Sequence, residues 1–104
     1  MNYFAMTWHG HEVKNLPTSE FPKLLDSLAD ADDEHPDVWI RSETGWGLSA
    51  FRSGLLVWEN VEDDGPPRHM KDVPPARVLE LWKLLAEGRF DRIDQEPWLP
   101  GYGA

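Results

Sequence analysis

The chain contains no cysteine among its 104 residues, which excludes disulfide staples, zinc–thiolate centres and thiol nucleophiles. Long apolar runs are missing as well: none approaches the ~20 residues needed to span a bilayer. The opening segment, Met-Asn-Tyr-Phe-Ala-Met-Thr-Trp-His, has neither a basic start nor an extended apolar stretch. No signal peptide is expected, and the default reading is a soluble cytoplasmic protein. Positive charge is scarce, with 10 Lys and Arg against 19 Asp and Glu for a net charge of -9. Such a balance repels phosphates and anionic membranes, so neither direct nucleic-acid binding nor membrane association is expected. There is no Gly-x-Ser-x-Gly elbow for a serine hydrolase. Gly45-Trp46-Gly47 lacks the third glycine and following helix of a dinucleotide loop.

What is present is an ordinary globular composition, 40% hydrophobic and 28% charged, of a length suited to one domain. Two features depart from the ordinary. There are 6 tryptophans, each able to carry a large share of core or interface energy. The negative charge is also segregated: residues 1–64 hold 13 acids against 4 bases, while residues 65–104 hold 6 of each. One acidic block comprises Asp30, Asp32, Asp33, Glu34 and Asp37. The other comprises Glu59, Glu62, Asp63 and Asp64, directly after the apolar run Leu55-Leu56-Val57-Trp58. Acidic surfaces also keep proteins soluble. Carboxylates gathered beside large aromatics, however, suit a surface that meets a basic partner.

The apolar spacing predicts α+β architecture. Residues 3–8 and 11–14 read as a hairpin around His9-Gly10. Residues 19–30 read as a helix capped by Thr18 or Ser19, with Pro22 in its first turn and Phe21, Leu24, Leu25 and Leu28 on one face. From Asp37 to Asn60 the period shortens to that of strands, with turns at Thr44-Gly45 and Ser53-Gly54, giving an antiparallel meander. A brief extended piece follows at Arg68–Asp72. Pro74-Pro75 and Gly88 bracket a second helix whose stripe is Val78, Leu81, Trp82 and Leu85. Residues 89–104 are rich in Pro and Gly yet carry Phe90, Ile93, Trp98, Leu99 and Tyr102, so this tail is expected to pack back on the domain. The sum is an antiparallel sheet of about four to five strands packed by two helices.

Candidate chemistry is sparse. His9 and His11 fall on the same side of an extended segment, as metal ligands can, but no third ligand stands at a fixed spacing. Neither acidic block has the alternating ligands and central glycine of a calcium loop. Most acids lie among charged neighbours in loops, where both members of a pair stay ionised; Glu59, at the end of an apolar strand, is the one carboxylate set apart. No catalytic residue, metal or cofactor is therefore assigned. Trp46, between two glycines at a hairpin corner, is either folded onto the sheet or offered outward as a binding anchor.

The layout resembles the small α+β immunity proteins of bacterial polymorphic-toxin systems. The matching pieces are Phe21-Pro-Lys-Leu-Leu-Asp-Ser-Leu28, the strand run Val38 to Glu59, Val73-Pro-Pro-Ala-Arg-Val-Leu79 and Glu96-Pro-Trp98. The resemblance implies a stoichiometric inhibitor that binds a basic cognate toxin, such as a nuclease. Under that expectation Asp32, Asp33, Glu59, Glu62, Asp63 and Asp64 supply charge, and Trp46 and Trp58 anchor the partner. The alternatives are a non-catalytic accessory domain, homodimeric through its Trp-rich sheet, and a small metal-dependent enzyme using His9 and His11.

Overall fold

The computed structural model describes residues 1–32, 34, 36–63 and 65–103. Its strands are β1 (Tyr3–Met6), β2 (Glu12–Lys14), β3 (Asp37–Ser42), β4 (Trp46–Phe51), β5 (Leu56–Asn60), β6 (Arg68–Met70) and β7 (Leu99–Pro100). They form one sheet in the order β2-β1-β3-β4-β5-β6-β7, and every neighbouring pair is antiparallel. The helices are α1 (Phe21–Asp26), α2 (Pro75–Ala86) and α3 (Phe90–Asp94). The α+β architecture matches the sequence expectation. Seven strands replace the expected four to five because the short β6 and the tail strand β7 also enter the ladder. A third helix likewise comes from the tail.

Strand alternation sorts side chains onto two faces. Val38 and Ile40 of β3, Leu48 and Ala50 of β4, and Leu56 and Trp58 of β5 share one face by register and are all buried. Helix α2 packs there through Val78, Leu81, Trp82 and Leu85, the stripe its sequence displays. Trp82 donates its indole N–H to the Leu48 carbonyl at 3.1 Å, so the buried donor is satisfied. Phe21 of α1 meets the Trp82 ring edge-on at 5.9 Å. At ~25 cal/mol per Å² of apolar surface, side chains of this size dominate the stabilisation of such a core.

The first helix is shorter than its pattern. It is α-helical only over Phe21–Asp26, flanked by 3-10 turns at Thr18–Glu20 and Ser27–Asp30. Neither Thr18 nor Ser19 caps it; Glu20 stands at the N-cap and makes no side-chain cap bond. At the other end the Ser27 hydroxyl donates to the Leu24 carbonyl at 2.6 Å, a local bond of the kind that competes with a regular α-turn. Phe21, Leu24 and Leu28 remain buried as their spacing requires.

The tail elements pack against the sheet and α2. Ile93 is fully buried, Arg77 of α2 pairs with Glu80 and Glu96, and β7 closes one edge of the sheet. The Arg77 guanidinium is held above its ordinary pKa, first by the hydrogen bond to Glu96. No helix among the described residues is long and apolar enough to cross a membrane.

Candidate functional site

An antiparallel strand carries the chain from one end of the sheet to the other, so an odd number of strands leaves it at the opposite end. The described acids of the first block run up to the first residue of β3, and those of the second begin near the end of β5, with three strands between. These described acids therefore lie at opposite ends of the sheet, separated by about the length of a six-residue strand, roughly 20 Å. This corrects the expectation of a single carboxylate surface. Asp32 is exposed at the β3-start end, whereas Glu62 and Asp63 are exposed at the β5-end. Asp33 and Asp64, also expected to bind a partner, lie outside the described residues.

The tryptophans are corrected too. None of the six is exposed: Trp58 and Trp82 are fully buried, and Trp8, Trp39, Trp46 and Trp98 are half-buried. Trp58 cannot be a surface anchor at 0% exposure. Its ring stacks on Trp46 at 4.5 Å and 19° and on Trp98 at 6.4 Å and 20°, with Phe90 alongside at 6.2 Å. Its indole N–H donates to Asp94 Oδ1 at 2.8 Å, and the same oxygen accepts from Arg68 Nη2 at 2.7 Å. Trp98 donates to the Ile93 carbonyl. Trp46 thus turns one ring face inward onto Trp58 and remains at the rim. Gly45, the turn residue just before it, shows why the corner is tight.

Gly45 has φ +96°, a left-handed backbone that glycine adopts without strain. A Cβ there would lie 2.5 Å from Glu62 Cγ and 2.6 Å from Asn60 Oδ1. The close approach lets the turn after β5 clamp onto the β3–β4 turn. Val61 N–H donates to the Gly45 carbonyl at 3.0 Å, Asn60 Nδ2 to the Thr44 carbonyl at 3.3 Å, and Glu62 N–H to Asn60 Oδ1 at 2.8 Å. Glu43, Glu62 and Asp63 are exposed on this braced end, and no described cation pairs with them.

Glu59 points from β5 to the helix-free face. It accepts a hydrogen bond from the Tyr102 hydroxyl at 2.7 Å, which raises the Tyr102 pKa because ionisation would set two anions together. Gly101 O lies 3.0 Å from His69 Nδ1, and a Cβ at Gly103 would meet His69 and Leu55 at 2.8 Å. The tail therefore lies across the β5–β6 part of that face, and Val57 is 2% exposed although no helix covers it.

Sequence reasoning missed the other half of the same face. Phe4 and Met6 of β1 align with Arg41 and Trp39 of β3, and Trp39 aligns with Ser49 of β4. The Arg41 guanidinium lies over the Trp39 ring, its Cζ 4.0 Å from the centroid. Gly47 opposite Arg41 leaves room for this; a Cβ there would sit 3.4 Å from Arg41 Nε. That Nε is buried without a hydrogen-bond partner. The period-2 spacing of Trp39 and Arg41 was the available signal.

His9 and His11 are exposed on the β1–β2 turn, and among the described residues no cluster of three or more His, Asp or Glu stands ready to hold a metal. A concavity of about 510 Å³ opens at the end of the sheet away from the braced corner. Leu25, Leu28, Phe51, Leu55 and Val78 line it, and Arg52 on its wall donates to the Ala31 carbonyl. No protein-family model, curated protein or solved structure matches this chain.

Proposed function

We propose that this chain is a cytoplasmic, non-catalytic binding protein of the immunity type, which neutralises a basic toxin through the braced acidic end of its sheet. One observation carries the reading. Glu43, Glu62 and Asp63 are exposed and unpaired among the described residues, on two turns locked together by the Val61–Gly45 and Asn60–Thr44 hydrogen bonds. Carboxylates on a rigid support lose little conformational entropy when a partner arrives. Glu59, three residues before Glu62, extends the charge onto the helix-free face, and Trp46 supplies an apolar rim on the covered side of the same end. In sequence, Asp64 continues the block.

The charge has a kinetic consequence. Opposite potentials raise encounter rates by ~10–1000-fold at low salt, so protection need not wait on chance collision. Carboxylates on such a surface stand in for phosphates if the toxin is a nuclease.

The test is co-expression with the C-terminal region encoded by the neighbouring reading frame. Growth should be rescued by this chain, and rescue should be lost on combining Glu62→Lys with Asp63→Lys. The association rate of the purified pair should fall at least ~10-fold from low to high salt. Rescue that survives the double reversal, or binding indifferent to ionic strength, overturns the reading.

A further inference from the structure

The helix-free face differs in charge from the rest of the molecule. Its charged strand positions are Glu12, Lys14, Asp37, Arg41 and Glu59, nearly balanced, while the whole chain carries -9. Between those charges lie the half-buried Phe4, Met6, Trp39 and Phe51. Helices cover the opposite face, and the tail covers only the β5–β6 side of this one. The face is thus a near-neutral, partly apolar surface on a strongly acidic protein.

Its charges also have an internal symmetry. Arg41, Gly47 and Glu59 form one cross-strand row over β3, β4 and β5. Arg41 and Glu59 stand on either side of Gly47, each about 4.8 Å away in the pairing direction. A two-fold axis laid along β4, between two facing sheets, exchanges the β3 and β5 sides. It brings Arg41 of each copy opposite Glu59 of the other and sets the two Gly47 residues face to face. The next row, Trp39–Ser49–Val57, is exchanged in the same way. The half-buried indole of one copy then meets the side of the other where Tyr102 is 55% exposed.

We infer that two copies of this chain associate through their helix-free sheet faces about such an axis. A two-fold interface requires this kind of self-complementarity, in which residue i meets j and j meets i. Aligned sheets pack about 10 Å apart, and a glycine at the axis eases the approach. Arg41 is already stacked on Trp39 and half-buried, so part of its water is already lost and a carboxylate from the second copy meets its guanidinium at reduced desolvation cost. The sheet offers roughly 500 Å² of flat face per copy, which side-chain relief raises toward the ~800 Å² per partner of a stable interface. Glu59 is shared with the acidic end, but that reading is tested at Glu62 and Asp63 and this one first at Arg41, so either can fail without the other.

Sedimentation velocity on the full chain tests it. Wild type should pass from monomer to dimer with concentration, reaching mostly dimer by ~100 μM. Arg41→Glu alone places like charges opposite each other in the homodimer, and so does Glu59→Arg alone. Each variant should sediment as a monomer, with the near-ultraviolet circular dichroism of its tryptophan stack unchanged. Mixed in equal amounts, the two variants restore both opposite-charge contacts and should form a heterodimer. A wild type that stays monomeric at that concentration overturns the inference. So does a pair of folded variants that still self-associate, or a mixture that stays monomeric.

Discussion

On the helix-covered face of the sheet, Trp46, Trp58 and Trp98 stack on one another beneath α3, and the Trp58 indole N–H is satisfied by Asp94. On the opposite face Trp39 meets no helix; its ring supports Arg41 instead. Both faces are built from the same strands, and residues one step apart part company. Leu48 is fully buried while its neighbour Ser49 is only half-buried. The covered face invests its aromatics in cohesion, whereas the other leaves Trp39 and the guanidinium stacked on it half-buried. Tryptophan content alone therefore says little about binding. The side of the sheet on which each indole falls decides its role.

Substitution should expose the contrast, beginning with its largest effect. Trp58→Ala should lower stability by about 3–5 kcal/mol, since it opens a cavity under Trp46 and leaves Asp94 without the indole donor. Trp39→Ala should cost about 1 kcal/mol, because that ring is only partly buried and no helix packs on it. Urea unfolding of the two variants measures both, and equal losses would erase the distinction between the faces.

At the braced corner, Gly45→Ala should cost about 1–3 kcal/mol, from the strained backbone and from displacement of Glu62 and Asn60. The same denaturation assay reads it, and a neutral result would show that the two turns are not locked. Asp94→Asn weakens the link between Trp58 and Arg68. Its partly exposed ion pair limits the loss to about 1 kcal/mol, visible as a small drop in urea midpoint with the tryptophan fluorescence maximum little changed.

The smallest effect is confined to alkaline pH. Glu59 holds the Tyr102 hydroxyl above its ordinary value of about 10. A group whose folded pKa is raised stabilises the fold below its unfolded pKa and loses that contribution as pH rises through the folded one. Tail docking should therefore be intact at neutral pH and weaken above about pH 10. Burial raises Tyr3 as well, with the same sign. Following tyrosinate absorbance in wild type and in Tyr102→Phe separates the two. Subtracting the Tyr102→Phe titration from that of wild type isolates Tyr102, and a midpoint at the ordinary value of about 10 would show that Tyr102 is not tied to Glu59.

Much of the fold was legible because its signals are local. The stripe Val78, Leu81, Trp82 and Leu85 lies within one helix, and the turns at Gly45 and Gly54 need a backbone that glycine supplies from its own chemistry. The meander from Asp37 to Asn60 was readable for the same reason. β7 was not legible as a strand: Leu99 and Pro100 carry no pattern of their own and are extended because β6 lies beside them. The truncation of α1 also escaped, since the apolar positions Phe21, Leu24 and Leu28 are buried whether the flanking turns are α or 3-10.

The candidate site was less legible than the fold. Carboxylates adjacent in sequence were identified, but their separation depends on how many strands intervene, and that is a property of the whole sheet. Glu59 met Tyr102 across 43 residues, and Trp58 met Asp94 across 36. The amino-acid order by itself determined the charge, the absence of thiols, the helix stripe and the strand alternation, because each follows from neighbouring residues and backbone sterics. Only the tertiary structure decided which indoles were sealed, which acids shared an end and which face was left without helices. Those outcomes depend on contacts between distant segments, whose geometry exists only after the chain has closed on itself.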